Sequence, residues 1–423
     1  YAWGEPRWIL LLLASILVTW LLGRAMRPEA SAGRRRGLLI LGLVFQLGLL
    51  VAVKYAGFFF GAFIDLPKLH LPLGVSFYTF HAISYLVDVY RQKTPPQKNL
   101  LRLGLYLALF PKLVMGPIVP YHELEPALAQ RTIDAQDVSD GCFRFTIGLA
   151  KKALLADALA GLVTGIWGDL ASLTVLSAWL GLIGYALQLY FDFSGYSDMA
   201  IGLGRMLGFR FPENFRYPYL CSSISDFWRR WHISLGSWFK EYLYFPLGGS
   251  RTGTLRTLRN LLLVWLATGL WHGASWNYVL WGLYFGVLIC LEKLLAPRFR
   301  AHPRKGLLAG LYRPVCLLLA VLGWVLFRAE DLPAAGRYFA CLFGGAAGAS
   351  AQARLYLHDF WPVLLLGAVG ATPLCAKLAG RLGAKLRPGV RAAVQAVLVL
   401  ALLACSTVWL LNGSFQSFVY FQF

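Results

Sequence analysis

The chain has 423 residues, of which 58% are hydrophobic and only 14% charged, with a mean hydropathy of +0.59. A soluble domain carries roughly 25% charged residues, so this composition excludes an ordinary soluble enzyme and predicts an all-α, multi-pass membrane protein. The formal net charge is +20, but the Lys and Arg gather in short loops between apolar runs. That is the positive-inside pattern, and it disfavours a nucleic-acid partner because no basic face is free of the bilayer.

The basic loops are residues 24–36, 91–102, 251–259, 293–305 and 377–391, which places them on the cytoplasmic side of a cell (cytoplasmic or inner) membrane. The seven cysteines at 142, 221, 290, 316, 341, 375 and 405 form no CxxC pair and read as small buried hydrophobes. The chain opens at Tyr1 without a methionine and without a signal-peptide pattern, so a further N-terminal helix is expected ahead of it.

In chain order, apolar helices are predicted over 8–22 and 37–53, the second closed by Lys54 and Tyr55 as interfacial anchors. A proline-bounded turn follows at 65–72, then an aromatic helix over 73–90 carrying His81, Tyr85 and Asp88, and another over 100–114. Residues 121–140 hold Glu123, Glu125, Asp134, Asp137 and Asp140 and read as a loop or surface helix outside the membrane. Apolar helices return over 143–167, interrupted by Lys151 and Lys152, and over 173–191.

From Asp192 to Arg259 the pattern changes, with Gly, Pro, Ser, Asp, Arg and Trp mixed among apolar residues. Irregular backbone at membrane depth is tolerated only where protein or a cavity surrounds it. Short, broken, re-entrant helices around an internal chamber, centred on 188–282, are therefore expected. Regular helices resume over 258–270, 271–291, 307–327, 360–374 and 394–411, with a shorter one over 332–343. The total is about nine to eleven spans in a single domain covering 1–423.

His272 ends the apolar run that begins at Leu261 and stands between Trp271 and Gly273, with Ser275 and Trp276 just beyond. A titratable ring in such a segment is costly unless it faces protein or a water-filled cavity. An imidazole can take a proton from an alcohol attacking an acyl carbon. The tryptophans would exclude water and Gly273 would admit a substrate close to the backbone. The bland alternative is an interfacial histidine packed in an aromatic belt.

His232 follows Arg229 and Arg230 among Trp228, Trp231 and Trp238. Two arginines beside aromatic rings suit an anionic ligand such as a coenzyme A or phosphopantetheine arm. A basic-aromatic segment lying on lipid head groups explains the same residues. Asp192 and Asp198 need cationic partners, with Arg205, Arg229 and Arg230 as candidates, and a structural ion-pair role is preferred for them over proton relay. His81 reads as a satisfied core histidine, and His70, His122, His302 and His358 carry no signal. No metal-ligand spacing, phosphate loop or GxSxG motif is present, so no metal is expected.

Four words resemble the membrane-bound O-acyltransferase family, in its bacterial alginate O-acetyltransferase group. They are Pro72 to Arg91 (PLGVSFYTFHAISYLVDVYR), Gln188 to Gly204 (QLYFDFSGYSDMAIGLG), Phe227 to His232 (FWRRWH) and Thr268 to Gly273 (TGLWHG). The ending FVYFQF is similar as well, so the resemblance covers essentially the whole chain. It implies a ring of transmembrane helices around a tunnel, with His272 as the catalytic histidine and His232 as a second tunnel residue. It further implies a cytoplasmic acyl thioester donor, with acetyl-CoA expected and a carrier-protein thioester as the alternative, and no bound cofactor. Arg229, Arg230, Trp228, Trp231, Trp271, Asp192, Asp198, Ser275 and Trp276 are the accompanying donor-binding or tunnel-lining candidates. An exported partner of the SGNH-hydrolase type and a polysaccharide acceptor complete the expectation.

Two alternatives remain at this point. A transporter or flippase would use 192–259 as its substrate path, but it predicts discontinuous helices in two matching halves, and only one such region is visible. A relative that loads D-alanine onto teichoic acids keeps the fold and changes the donor.

Overall fold

A computed structural model describes residues 1–61, 71–251, 253–301, 307–413 and 418, and every regular element among them is helical. Part of the expected turn at 65–72, His70, His302 and the chain from 419 onward lie outside the described residues. Helices are what the composition demands, because backbone groups in hydrocarbon must be satisfied within their own segment. By length and composition, Ala32–Phe60, Val175–Met206, Trp276–Leu295, Gly310–Arg328 and Pro388–Asn412 can each cross a membrane. The pair Ala351–Gly370 and Leu374–Gly383, bent by 67°, can together make a sixth span, and Ile9–Ala25 is a shorter apolar helix of 17 residues.

Several elements differ from the sequence-based reading, among them the helix predicted over 360–374, which is Ala351–Gly370 followed by a break before Leu374–Gly383. The helix predicted to end at Phe191 continues as Val175–Met206, 32 residues long. Its carboxylates do not end it because each meets a cation: Asp192 pairs with Lys152 at 2.8 Å and Asp198 with Lys151 at 2.6 Å. The two lysines that seemed to interrupt the preceding helix open a π-helical turn, Lys151–Ala156, which joins Ala135–Ala150 to Asp157–Trp167. The helix predicted over 100–114 breaks at Leu109, between Leu100–Ala108 and Phe110–Leu113. Pro111 lacks an N–H, and its ring would clash with a carbonyl of the preceding turn. The broken region is thus shorter than expected. It starts after Met206 and contains the 3₁₀ turn Pro218–Leu220, the helices Ile224–Arg230 and Ile233–Phe239, and a π turn at Lys240–Tyr244.

The residues group into two compact units. The first comprises 1–142, 200–213 and 237–246, and the second comprises 143–199, 214–236 and 247–423. In the first, the buried helix Val75–Tyr90 presents Ser84 and Asp88 one turn apart, where they meet Trp238 and Tyr242, also one turn apart. Trp238 donates to Ser84 Oγ at 2.8 Å and stacks on Phe80, with centroids 3.8 Å apart, while the Tyr242 hydroxyl donates to Asp88 at 2.9 Å. His81 is fully buried edge-on to Tyr106, but neither ring nitrogen has a hydrogen-bond partner among the described residues. It is a core histidine without the hydrogen bonds expected of one.

In the second unit, Thr254–His272 and Trp276–Ala301 lie side by side across a glycine contact. A methyl group on Gly269 would stand 2.3 Å from the Tyr278 carbonyl, and one on Gly282 would stand 2.4 Å from the Trp265 carbonyl. Small residues let apolar helices approach this closely, and the approach fixes where the end of the first helix, His272, meets the second. Glu292 ties in the Ile224–Arg230 helix by accepting the N–H groups of Ile224 at 2.6 Å and Ser225 at 2.8 Å. These are two of the donors a helix start leaves unsatisfied.

Gly282→Ala should cost about 1–3 kcal/mol, the range for forcing a methyl into a packed interior. Gly380→Ala, with nothing within 4 Å of the new methyl, should be neutral or slightly stabilising. Thermal unfolding of both variants in detergent would check the contrast, and equal stabilities would refute the close-packed seam.

Candidate active site

His272 is the last residue of the Thr254–His272 helix and is buried. Its ring stands edge-on to three aromatic neighbours: Trp281 at 4.9 Å, Trp271 at 5.0 Å and Phe327 at 5.2 Å between centroids. A small cavity of about 10 Å³ opens beside it, lined otherwise by Leu189, Phe193, Trp231, Trp281, Trp324 and Phe327. His272 supplies the imidazole of that lining, a side chain able to accept or donate a proton. A proton acceptor with apolar walls and little room for water is a suitable setting for general-base chemistry.

His232 lies in the same aromatic cluster. It stands edge-on to Phe193 at 4.6 Å and 6.3 Å from Trp271, so the Trp271 ring neighbours both imidazoles. Its backbone is left-handed, with φ of 45°, an uncommon conformation for a residue with a side chain. The Asn214 side chain holds this corner. Its Oδ1 accepts from Ser234 N at 3.1 Å and Ser234 Oγ at 2.9 Å and lies 3.3 Å from His232 Nδ1, while its Nδ2 donates to Ser197 Oγ at 3.1 Å. The sequence-based reading did not single out Asn214. The word Pro212-Glu-Asn-Phe looks like loop, and the contact is made by residues 18 and 20 positions later.

Asp192 and Asp198 form ion pairs, though not with the arginines expected. Lys152 bridges Asp192 at 2.8 Å and Asp157 at 2.6 Å, all three side chains being buried. Asp198 takes Lys151 at 2.6 Å and Arg144 Nε at 2.8 Å. Arg205 instead binds Asp137 and Asp140, and Arg230 binds Asp226 one turn away at 3.0 Å. Arg229 is exposed, and neither arginine of the pair lines the cavity.

Trp231 lines the cavity, but Trp228 packs away from it against Trp265, Phe285 and Trp281. Trp276 is 63% exposed. Ser275 belongs to the turn that starts the next helix, where its hydroxyl accepts from Asn277 N at 3.4 Å. At Gly273 the Tyr278 ring fills the space a methyl would need, at 2.2 Å, so the glycine makes room for that ring. Trp281, Trp324 and Phe327, which make up half of the wall besides His272, carry no motif and are not singled out by the sequence.

His122, set aside from the sequence, bonds the buried Asp88 at 2.8 Å. Asp88, His122 and Glu241 bring potential ligand atoms within 4.8 Å of one another. The three come from distant segments, so their chain spacing is silent. Tyr242 and His122 already occupy the two oxygens of Asp88, and Lys93 bonds Glu241. The group reads as an ion-pair cluster more than as a metal site.

Residues 93–310 match the family model for membrane-bound O-acyltransferases. The chain is 43% identical to the probable alginate O-acetylase AlgI of Pseudomonas aeruginosa, over 81% of its own length and 67% of that protein. It is 35% identical to the peptidoglycan O-acetyltransferase of Helicobacter pylori, over 79% of this chain and 70% of that one. It is 29% identical to the teichoic acid D-alanyltransferase of Bacillus subtilis, over 54% and 62% of the respective lengths.

Removing one member of a buried ion pair strands the other charge, at a cost of about 3–5 kcal/mol. Lys152→Ala, which takes this cation from both Asp192 and Asp157, should therefore unfold at a lower temperature than the wild type. Adding Asp192→Asn to it should recover part of the loss. Detergent thermal melts of the single and double variants would decide it, and an unaffected Lys152→Ala would refute the assignment.

Proposed function

This chain belongs to the membrane-bound O-acyltransferase family and is an acyltransferase; from that premise we propose that it passes an acetyl group from a cytoplasmic thioester across the membrane, for O-acetylation of a cell-surface polysaccharide. The observation that supports the reading is the burial of His272 in the wall of an aromatic-lined cavity. As an acceptor hydroxyl attacks the thioester carbonyl carbon, His272 takes the hydroxyl proton, the C–S bond breaks, and the proton passes to the departing thiolate. The products are an O-acetyl ester and a free thiol. The apolar walls keep water from competing as the nucleophile.

Acetyl is preferred over D-alanyl because the similarity to the two O-acetylating relatives is higher and extends over more of this chain. Acetyl-CoA is the proposed donor, and the basic segments support its entry from the cytoplasmic side of the inner membrane. The acceptor is either the glycan itself or an exported partner of the SGNH-hydrolase type that completes the transfer. Membership of an acyltransferase family removes the ground for the transporter alternative.

The test supplies purified protein with radiolabelled acetyl-CoA and an acceptor glycan, and follows label transfer and thiol release. Losing the proton acceptor should lower turnover about 10²–10⁴-fold in His272→Ala, with a thermal melt to show that the variant is folded. His232→Ala should lose less. Undiminished turnover in folded His272→Ala would overturn the assignment.

A further inference from the structure

We infer that Asn214 is a positioning residue that fixes the tautomer of His232, so that His232 keeps a bare Nε2 lone pair, its ring packed edge-on to Phe193 of the cavity wall. The role, though not the tautomer, rests on the acyltransferase reading above.

Ser234 N–H can only donate, and it points at the Asn214 side chain at 3.1 Å, so the amide atom it meets must be the oxygen. The opposite assignment would set an NH₂ against an N–H. An amide oxygen can only accept, so the His232 Nδ1 lying 3.3 Å from it must carry a hydrogen. In a neutral imidazole the lone pair is then on Nε2. Asn214 also holds the backbone here, because its own carbonyl accepts Ile233 N at 3.0 Å. The strained left-handed turn at His232 is thus gripped on both sides of the amide.

Nε2 is buried and has no hydrogen-bond partner among the described residues. A buried acceptor left this way is costly, and its chemistry is satisfied by a donor. The attacking hydroxyl of the acceptor is such a donor, whereas the carbonyl oxygen of the thioester and the oxyanion it becomes are not. Neutral His232 therefore aligns the hydroxyl and does not stabilise the oxyanion, which would require an N–H at that position.

The experiment uses the full chain labelled with ¹⁵N-histidine in liposomes, read by solid-state NMR, with His232→Ala to assign the signal. The expected result is a protonated Nδ1 and a bare Nε2; an Nε2–H tautomer would overturn the proposal. Asn214→Asp keeps an acceptor and should hold the tautomer and stay within about tenfold of wild-type kcat. Asn214→Leu releases the ring and should lower kcat about 10–100-fold, as loss of a group orienting a functional histidine does, with little change in KM for acetyl-CoA. Full kcat in folded Asn214→Leu would overturn the role. If that variant does not fold, His232→Asn serves instead: it keeps a donor facing Asn214 but has no atom at Nε2, and full kcat there would equally overturn it. A wild type with the expected tautomer and no acyl turnover would sink the acyl-transfer reading and leave the tautomer standing.

Discussion

A polar group carried into the apolar interior of a membrane protein has only the protein to bond to, and that constraint shapes much of this chain. Lys152 is drawn inward to neutralise Asp192 and Asp157, and the π turn at Lys151–Ala156 is the local distortion that accompanies it. π turns often mark functional or strained positions in otherwise regular helices. Here the turn presents two consecutive lysines to two carboxylates, Asp198 and Asp192, on a single neighbouring helix. The same demand explains why Glu292 reaches the open start of the Ile224–Arg230 helix and also accepts the Tyr312 hydroxyl at 2.6 Å. The short broken helices are therefore anchored at their polar ends as well as by burial.

Close packing then converts those anchors into a site. The glycine contact between Thr254–His272 and Trp276–Ala301 brings Trp281 against His272, and Tyr278 fills the space beside Gly273. Around them Trp228, Trp265, Phe285 and Trp324 form a continuous aromatic cluster. Rings of this kind contribute large buried area and fixed edge-to-face geometry. They hold an imidazole in one orientation.

The sequence made some of this legible and hid the rest for identifiable reasons. His272 stood out because a titratable residue at the end of an apolar run is rarely accidental, and helices such as Pro388–Asn412 followed from hydrophobicity alone. Asp192 was misread as the end of a helix because a sequence displays a charge but not the Lys152 that cancels it 40 residues earlier. Gly273 and Trp276 were read as substrate access and a water shield, yet one makes room for Tyr278 and the other faces outward. Their word is distinctive, but adjacency along the chain does not fix direction in space. Asn214 was invisible for a related reason, since its importance lies in bonds made across a turn and not in any pattern around it.

The two imidazoles differ most in their company. His232 has Nδ1 committed to Asn214 and a backbone locked by the neighbouring bonds, so its pattern of donor and acceptor is set before any substrate arrives. A group with a fixed pattern is suited to orienting a partner. A general base must instead change its protonation during turnover, and His272, lining the cavity among rings, is the better placed for that. Trp271 touches both rings, keeping them close within one apolar wall. The proposed division of labour between an orienting and a proton-accepting histidine rests on these surroundings, and it would let one hydroxyl be aligned by the first while it is deprotonated by the second.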